Sequence, residues 1–325
     1  MSDALNAVVR EVDPLLWHVA RAQGLAHGPA ADVVQTTWLV SSRHLDPALS
    51  APELRAGLAA TVRREAWRLL PGRRAEAGSD AGENALPAVA ELPEPAHELD
   101  RALWRVLPGL SERCRGLLRV VALVDRSDHD VIAEAMGMPR GSVAPTLDRC
   151  LAEVRELLPA DAARAADPDG PLGGPDAAIL DAFARVWAVA DPPPADLDAR
   201  VSFALRLDDL DVEAARSRHD GPAGSGAGAA EQARTVTFDC DILSLMVSVL
   251  PGDDGVRVDG WLAPPAALRV ELRTGAAGPD GRDVVHGADA DQAGRFVLTE
   301  VPSGLGQLLV YGAGLRTVVT PAIVL

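Results

Sequence analysis

Residues 58 to 74, LAATVRREAWRLLPGRR, place Arg63, Arg64 and Arg68 along one helix, with Trp67 beside them and Arg73 and Arg74 extending the basic run. Guanidinium groups hold phosphate oxygens and an indole ring stacks on an unpaired base, so this segment has the chemistry of a nucleic-acid contact. Core packing is the more ordinary role of tryptophan, and it remains open for Trp17, Trp38 and Trp67 alike.

A second constellation runs from 131 to 158, VIAEAMGMPRGSVAPTLDRCLAEVRELL, a short apolar helix, a glycine-marked turn and a longer amphipathic helix. This is the pattern of a helix-turn-helix. Ile132, Ala133 and Met136 share one helical face, Gly137 supplies a left-handed turn residue, and Ser142 stands where a hydroxyl can cap the next helix. In that helix Val143, Leu147, Cys150, Leu151, Val154 and Leu158 form the expected buried stripe. Arg140, Ala144, Pro145, Asp148 and Arg149 lie opposite, on the face that would meet a major groove, and Arg113 upstream is a further candidate phosphate contact. A plain helical hairpin in a core has the same pattern, so the motif alone does not decide.

Three upstream segments shift the balance: PLLWHVARAQGL from residue 14, DVVQTTWL at 32 to 39, and AGLAATVRREAWRLLPGRR up to residue 74. Their order, and their spacing to the helix-turn-helix, resembles bacterial sigma factors of the extracytoplasmic-function type over roughly half the chain. The resemblance implies two all-α domains, a region 2-like one at 1–75 and a region 4-like one at 98–160, joined by an acidic linker at 76–97. It also implies that Asp32, Gln35, Thr36 and Leu39 dock the clamp helices of the largest subunit of RNA polymerase core. The helix from Leu58 to Leu70 would lie along the downstream promoter element near the point of strand separation. The loop from His44 to Pro52 would receive a flipped promoter base.

The chain departs from the family where GTVKSRLxRAR is common, reading GSVAPTLDRCL instead. Ala144, Pro145 and Thr146 stand in place of a lysine, a serine and an arginine. Proline is acceptable in a first helical turn, but each lost phosphate contact weakens DNA binding and flattens its salt dependence by roughly 0.9 in slope. Weak binding of the upstream element follows, unless polymerase supplies the rest.

All 31 basic residues among the 325 are arginine, against 47 acids, for a net charge of −16. Residues 1–75 hold 9 arginines and 7 acids, 76–160 hold 9 and 15, and 161–325 hold 13 and 25, so only the first part is basic. A chain this acidic is repelled by free DNA, which fits a protein that meets promoters inside a holoenzyme and equally fits one that has stopped reading DNA. No apolar stretch is long enough for a membrane helix and the N-terminus lacks a signal-peptide core, so a cytoplasmic protein without membrane contact is expected. Cys114, Cys150 and Cys240 lack metal-ligand spacing and read as buried small hydrophobes. No metal or cofactor is expected.

Beyond Leu158 the chain exceeds a minimal sigma factor. After a linker at 161–175, a helical hairpin is expected over 176–218. Ile179, Leu180, Phe183, Val186 and Trp187 line its first helix; Leu197, Val201, Leu205 and Leu210 line a second, spanning 196–217. Two helices so small must bury their faces on something else, and the sigma-like domains are the nearest candidates. A Gly/Ala tether at 219–232 leads to 233–325, where the period becomes alternating. RTVTFDC, ILSLMVSVL, VRVDGWL, ALRVELRT, GRFVLTEV, GQLLVYG and TVVTPAIVL predict seven strands of an antiparallel β-sandwich. GRFVLTEVPSG resembles transthyretin-like or carboxypeptidase-regulatory-like sandwiches, and the extension as a whole resembles small actinobacterial sigma-associated proteins. Asp253, Asp254, Asp289 and Asp291 lack EF-hand spacing, His286 is the one histidine of this part, and no nucleophile motif occurs, so the chain does not read as an enzyme.

The fold class expected is therefore a multidomain α+β protein. Two functions compete. One is a sigma factor bringing polymerase core to promoters, regulated in cis as Phe183, Trp187, Val201 and Leu205 cover a working surface, or in trans by a protein partner. The other is a non-initiating sigma-like adaptor or sequestering protein that binds polymerase or another protein without reading promoter DNA.

Overall fold

The computed structural model describes residues 3–42, 49–76, 97–124, 128–159, 175–207, 212–218, 234–252, 255–275, 283–312 and 316–325. These residues form a mixed α+β protein with two sheets. Among them, no helix is long and apolar enough to cross a membrane. Contacts divide the chain into two compact units. One comprises Met1–Arg10, Ala31–His44 and Asp196–Leu325; the other comprises Glu11–Ala30 and Leu45–Ala195.

The second unit is helical. It holds most of α1 (Asp3–Ala22), the start of α2 (His27–Ser41), α3 (Ala51–Glu76), α4 (Glu98–Val106), α5 (Glu112–Val121), α6 (His129–Met136), α7 (Val143–Leu157) and α8 (Pro175–Ala190). Helix α3 opens on a capping box: the Ser50 backbone N–H donates to Glu53 Oε2 at 2.9 Å, and Ser50 Oγ accepts from the Glu53 N–H. Ser111 starts α5 by accepting from the Cys114 N–H at 3.3 Å. Between α6 and α7 Gly137 has φ +60°, the left-handed conformation that sequence analysis expects. A Cβ there would also lie 2.7 Å from Arg63 Nη1.

The buried stripe of α7 forms from Val143, Cys150, Leu151, Val154 and Leu158, with Leu147 half-buried. Ser142 does not act as a cap. It closes a tight 3-10 turn (Arg140–Ser142) in αR conformation, and a residue already helical cannot turn its hydroxyl back on the first free N–H groups. Cys114 and Cys150 are buried as expected, but they are joined in a disulfide that links α5 to α7. Side by side, the two helices bring Cα atoms 36 residues apart in sequence to 5.3 Å, a proximity that spacing alone does not reveal. Cys240 is partly buried and carries a free thiol.

In the other unit, residues 31–42 of α2 meet α9 (Leu197–Ala204) and the strands. The helix expected over 196–217 ends at Ala204, and 212–218 are extended instead. β1 (Val212–Ala214) pairs in parallel with β10 (Thr317–Val319), and β2 (Arg216–Arg218) pairs with β3 (Arg234–Asp239). Strand pairing here overrides local helical periodicity.

One sheet has the order β2-β3-β4-β5-β8, with β4 at Ser244–Gly252, β5 at Gly255–Ala263 and β8 at Arg295–Val301. The other runs β1-β10-β9-β6-β7, with β6 at Arg269–Thr274, β7 at Val284–Asp289, β9 at Leu305–Tyr311, and β11 (Ile323–Val324) also on β9. A shared core of Phe238, Leu245, Val258 and Phe296 from the first, with Val270, Leu272, Leu308 and Val310 from the second, packs the sheets face to face. Gly260 is required there, since the Phe296 ring occupies the place of its Cβ.

All seven expected strand segments contain strands, but the count and polarity differ. β1 and β10 form a parallel pair, and β7 is a half-exposed edge strand too polar to signal itself. TVVTPAIVL breaks into β10 and β11 around Pro321, which has no N–H to give a ladder.

Candidate functional site

The four residues assigned to polymerase docking lie on the part of α2 within the strand-containing unit, and all four are buried: Asp32 is 6% exposed, Gln35 0%, Thr36 2% and Leu39 5%. A glutamine with no exposure must find its partners inside the protein. Its Oε1 accepts from the Ala322 N–H at 2.9 Å. Arg200, on α9, donates through Nη2 to the Ala322 carbonyl at 3.2 Å and to Asp32 Oδ1 at 3.2 Å. Gln35 and Arg200 thus hold the two polar groups of a single residue between β10 and β11. Leu39 completes the contact in an apolar cluster with Ala204, Val212, Ala214, Leu309 and Val319.

This contact exists because β9 buries both faces. Leu308 and Val310 point into the core between the sheets, while Leu309 packs with Leu39 and Ala204 on the other side. The consecutive apolar residues of GQLLVYG, in place of an alternating pattern, are the sequence signal for a doubly covered strand. Gln307, fully buried, donates to the Thr320 carbonyl at 2.9 Å and accepts from Arg273 at 2.6 Å, and Arg273 also donates to the Phe203 carbonyl at 2.7 Å. Val201 is buried as expected, but Leu205 is half-buried at the end of α9. Phe203 and Ala204 take the inward places, because the helix stops before its stripe would reach Leu205. Leu210 lies outside the described residues.

The assigned DNA-facing groups belong to the helical unit. Arg64, Trp67 and Arg68 are exposed on α3, Trp67 by 56%, whereas Trp17 in this unit and Trp38 in the other are fully buried. Each makes a contact within the unit. Trp67 Nε1 donates to Gln23 Oε1 at 3.2 Å, Arg64 Nη2 to Thr61 Oγ1 at 3.1 Å, and Arg68 Nη1 pairs with Glu65 at 2.6 Å. Arg63 is half-exposed and bound to the helix before the turn, donating to the Glu134 carbonyl at 2.8 Å. On the helix-turn-helix, Arg140, Ala144, Pro145, Asp148 and Arg149 are exposed, Ser142 is half-exposed, and Arg140 pairs with Asp130 at 3.0 Å, while Arg113 is exposed on α5. The side chains of Arg73 and Arg74, residues 44–48 of the segment His44 to Pro52 assigned to a flipped base, and most of the acidic linker lie outside the described residues, while Ala51 and Pro52 of that segment begin α3 instead of a loop.

Phe183 and Trp187 are buried on α8, which packs on α4 and α5 and is fixed by a two-pronged pair from Arg185 to Asp100 at 2.7 and 3.0 Å. Asp191, just beyond α8, is the centre of a buried charge cluster that sequence reading missed. Arg21 Nε donates to its Oδ2 at 2.8 Å, Arg119 bonds the same oxygen, and His27 Nε2 lies 3.0 Å from Oδ1. Arg119 Nε donates to His18 Nδ1 at 3.0 Å and its guanidinium stacks 4.2 Å from the Trp187 ring. Burial, and then the charge of Arg119, lower the His18 pKa to about 3, so the ring is neutral at physiological pH. Burial lowers Arg119 to about 10, still charged, while for Asp191 the two arginines outweigh burial and hold the carboxyl below its ordinary range. Nothing in the spacing of 18, 21, 119 and 191 could have grouped these residues.

Asp289 pairs with Arg269 at 3.5 Å, and Asp291 accepts from the Ala293 and Arg295 N–H groups in a turn. Asp253 and Asp254 lie outside the described residues.

No protein-family model matches the chain, and no curated protein matches it. Among solved structures it is similar to an alkylpurine DNA glycosylase of Pseudomonas fluorescens bound to DNA containing an abasic-site analogue, at 12% identity over 96% of this chain and 97% of that one. The TM-score of 0.14 is too low for that likeness to bear on fold or function.

Proposed function

We propose that the chain is a sigma-type transcription initiation factor whose polymerase-docking face is masked by its own C-terminal extension. The observation that carries this reading is the burial of Asp32, Gln35 and Leu39 against Arg200, Ala322 and the β9 side of the sheet. A face that must receive a partner helix is occupied in cis, by contacts of the kinds a partner would use. Tethered masking of this sort needs only modest intrinsic affinity, because the tether keeps the covering segment at an effective concentration on the order of mM. Activation then consists of releasing α9 and the 320–322 turn from α2.

The non-initiating adaptor stays as the second reading on one observation: Arg63, central to the assigned DNA set, is already bonded to Glu134. Runoff transcription with purified core polymerase and genomic promoter fragments separates the two. The comparison uses the full chain, the full-length Arg200→Glu variant, and residues 1 to 195, which keep α8 and Asp191 in the helical unit. Arg200→Glu sets a carboxylate against Asp32 and should open the mask. Transcripts from the variant and the shortened chain, with little from the wild type, are the expected result. Polymerase binding without transcripts from any of them would favour the adaptor, and no polymerase binding by any form would overturn both.

A further inference from the structure

Beside the Asp191 cluster, and wholly within the helical unit, lies a cavity of about 270 Å³ lined by the end of α1 and the residues after it, one face of α5 from Glu112 to Arg119, and Trp187 of α8. Its charge is unbalanced. Arg21 and Arg119 share the single carboxylate of Asp191, and their side chains are 5% and 6% exposed, so one positive charge is left over away from bulk water. Such an excess is costly unless an opposite charge reaches it.

Arg115 sits one turn before Arg119 on α5 and lines the same cavity, half-buried, with no hydrogen-bond acceptor among the described residues. The lining holds Arg21, Arg115 and Arg119 against the exposed Glu112, and it stays positive even when Asp191, which pairs with Arg21 and Arg119 beside the cavity, is counted. The buried indole N–H of Trp187 likewise has no acceptor among the described residues. Gly24 leaves room, since a Cβ there would meet nothing within 4 Å.

We propose that this cavity binds a small phosphate-bearing ligand, held by Arg115 and Arg119 from adjacent turns of α5. A phosphate monoester carries about −1.5 to −2 charges and three strong acceptor oxygens at neutral pH. That suits two guanidinium groups one turn apart, whereas a single carboxylate is satisfied by one fork. Because α1, α5 and α8 all line the cavity, occupancy ties α8 to the helices it packs on. The assignment does not depend on the sigma reading.

The test uses the full chain at constant ionic strength, titrated with inorganic phosphate, glycerol 3-phosphate or malonate, and read by calorimetry and by the thermal unfolding midpoint. Saturable binding and a raised midpoint are expected with both phosphate compounds. Arg115→Gln should raise the half-saturating concentration about tenfold or more, without lowering the ligand-free midpoint, since it removes a positive charge from an already positive lining. Glu112→Gln, which leaves every arginine in place, should lower it. Three results would overturn the proposal: a response that chloride reproduces at the same ionic strength, unaltered binding in both variants, or malonate binding as tightly as phosphate.

Discussion

At the scale of single residues, the two buried polar groups with the largest consequences are Gln35 and His18. Gln35 is bonded to a backbone 287 residues away, so its role in holding the C-terminal turn was beyond reach of any local pattern. His18 makes the fold pH-sensitive. It is packed among Arg119, Asp191 and Arg21, with His27 also against Asp191, and its folded pKa of about 3 lies below the ordinary 6.5. The unfolded chain therefore binds the proton more readily, and the stability that neutral His18 permits is fully present above pH 6.5 and lost progressively as pH falls toward 3. Chemical denaturation of the wild type from pH 7.5 to 5 should show a falling midpoint. His18→Asn should flatten that dependence, and an equal slope in both proteins would remove His18 from the explanation. The arginines of α3 were legible in sequence as a polar helical face, whereas the exposure of Trp67 was left open; the bonds of Arg63 to Glu134 and of Trp67 to Gln23 were not legible, because those partners come from distant parts of the chain.

At the scale of elements, the α5–α7 disulfide and the α9–β9 contact each give a measurable expectation. Closing a 36-residue separation should stabilise the folded chain by roughly 3–4 kcal/mol on chain-entropy grounds. Dithiothreitol, or the Cys114→Ser/Cys150→Ser variant, should lower the denaturation midpoint accordingly, and an unchanged midpoint would mean that the helix packing alone holds the helix-turn-helix. Phe203 is 2% exposed on α9. Phe203→Ala should cost about 3–5 kcal/mol in the strand-containing unit, read by near-ultraviolet dichroism and denaturation. The stripe of α7 was readable because its apolar positions repeat at the helical period. The strands β1 and β2 were not, since segments of three residues carry no period of their own and are extended only because β10 and β3 offer them partners.

At the scale of the whole molecule, the net charge of −16 decides how the chain meets nucleic acid. Free promoter duplex should not be bound saturably by the full chain at physiological salt, since phosphate neutralisation dominates such binding and a net charge of −16 repels the DNA polyanion as a whole. Fluorescence anisotropy with a labelled duplex checks this, and tight salt-sensitive binding without polymerase would contradict the masked-factor reading.

What the amino-acid sequence determined by itself was the local grammar. Helical and alternating periods, the glycine turn before α7, the polar face of α3, and the strands from residue 234 onward all follow from spacings of a few residues. What only the tertiary structure decided was which distant groups meet. Asp191 gathers Arg21 and Arg119, Cys114 finds Cys150, and Asp32 and Gln35 of α2 close on Arg200 and Ala322. The physical reason is that a buried charge, thiol or amide is satisfied by whatever the fold brings within about 3 Å. That partner is fixed by packing in three dimensions, and it leaves no periodic mark along the chain.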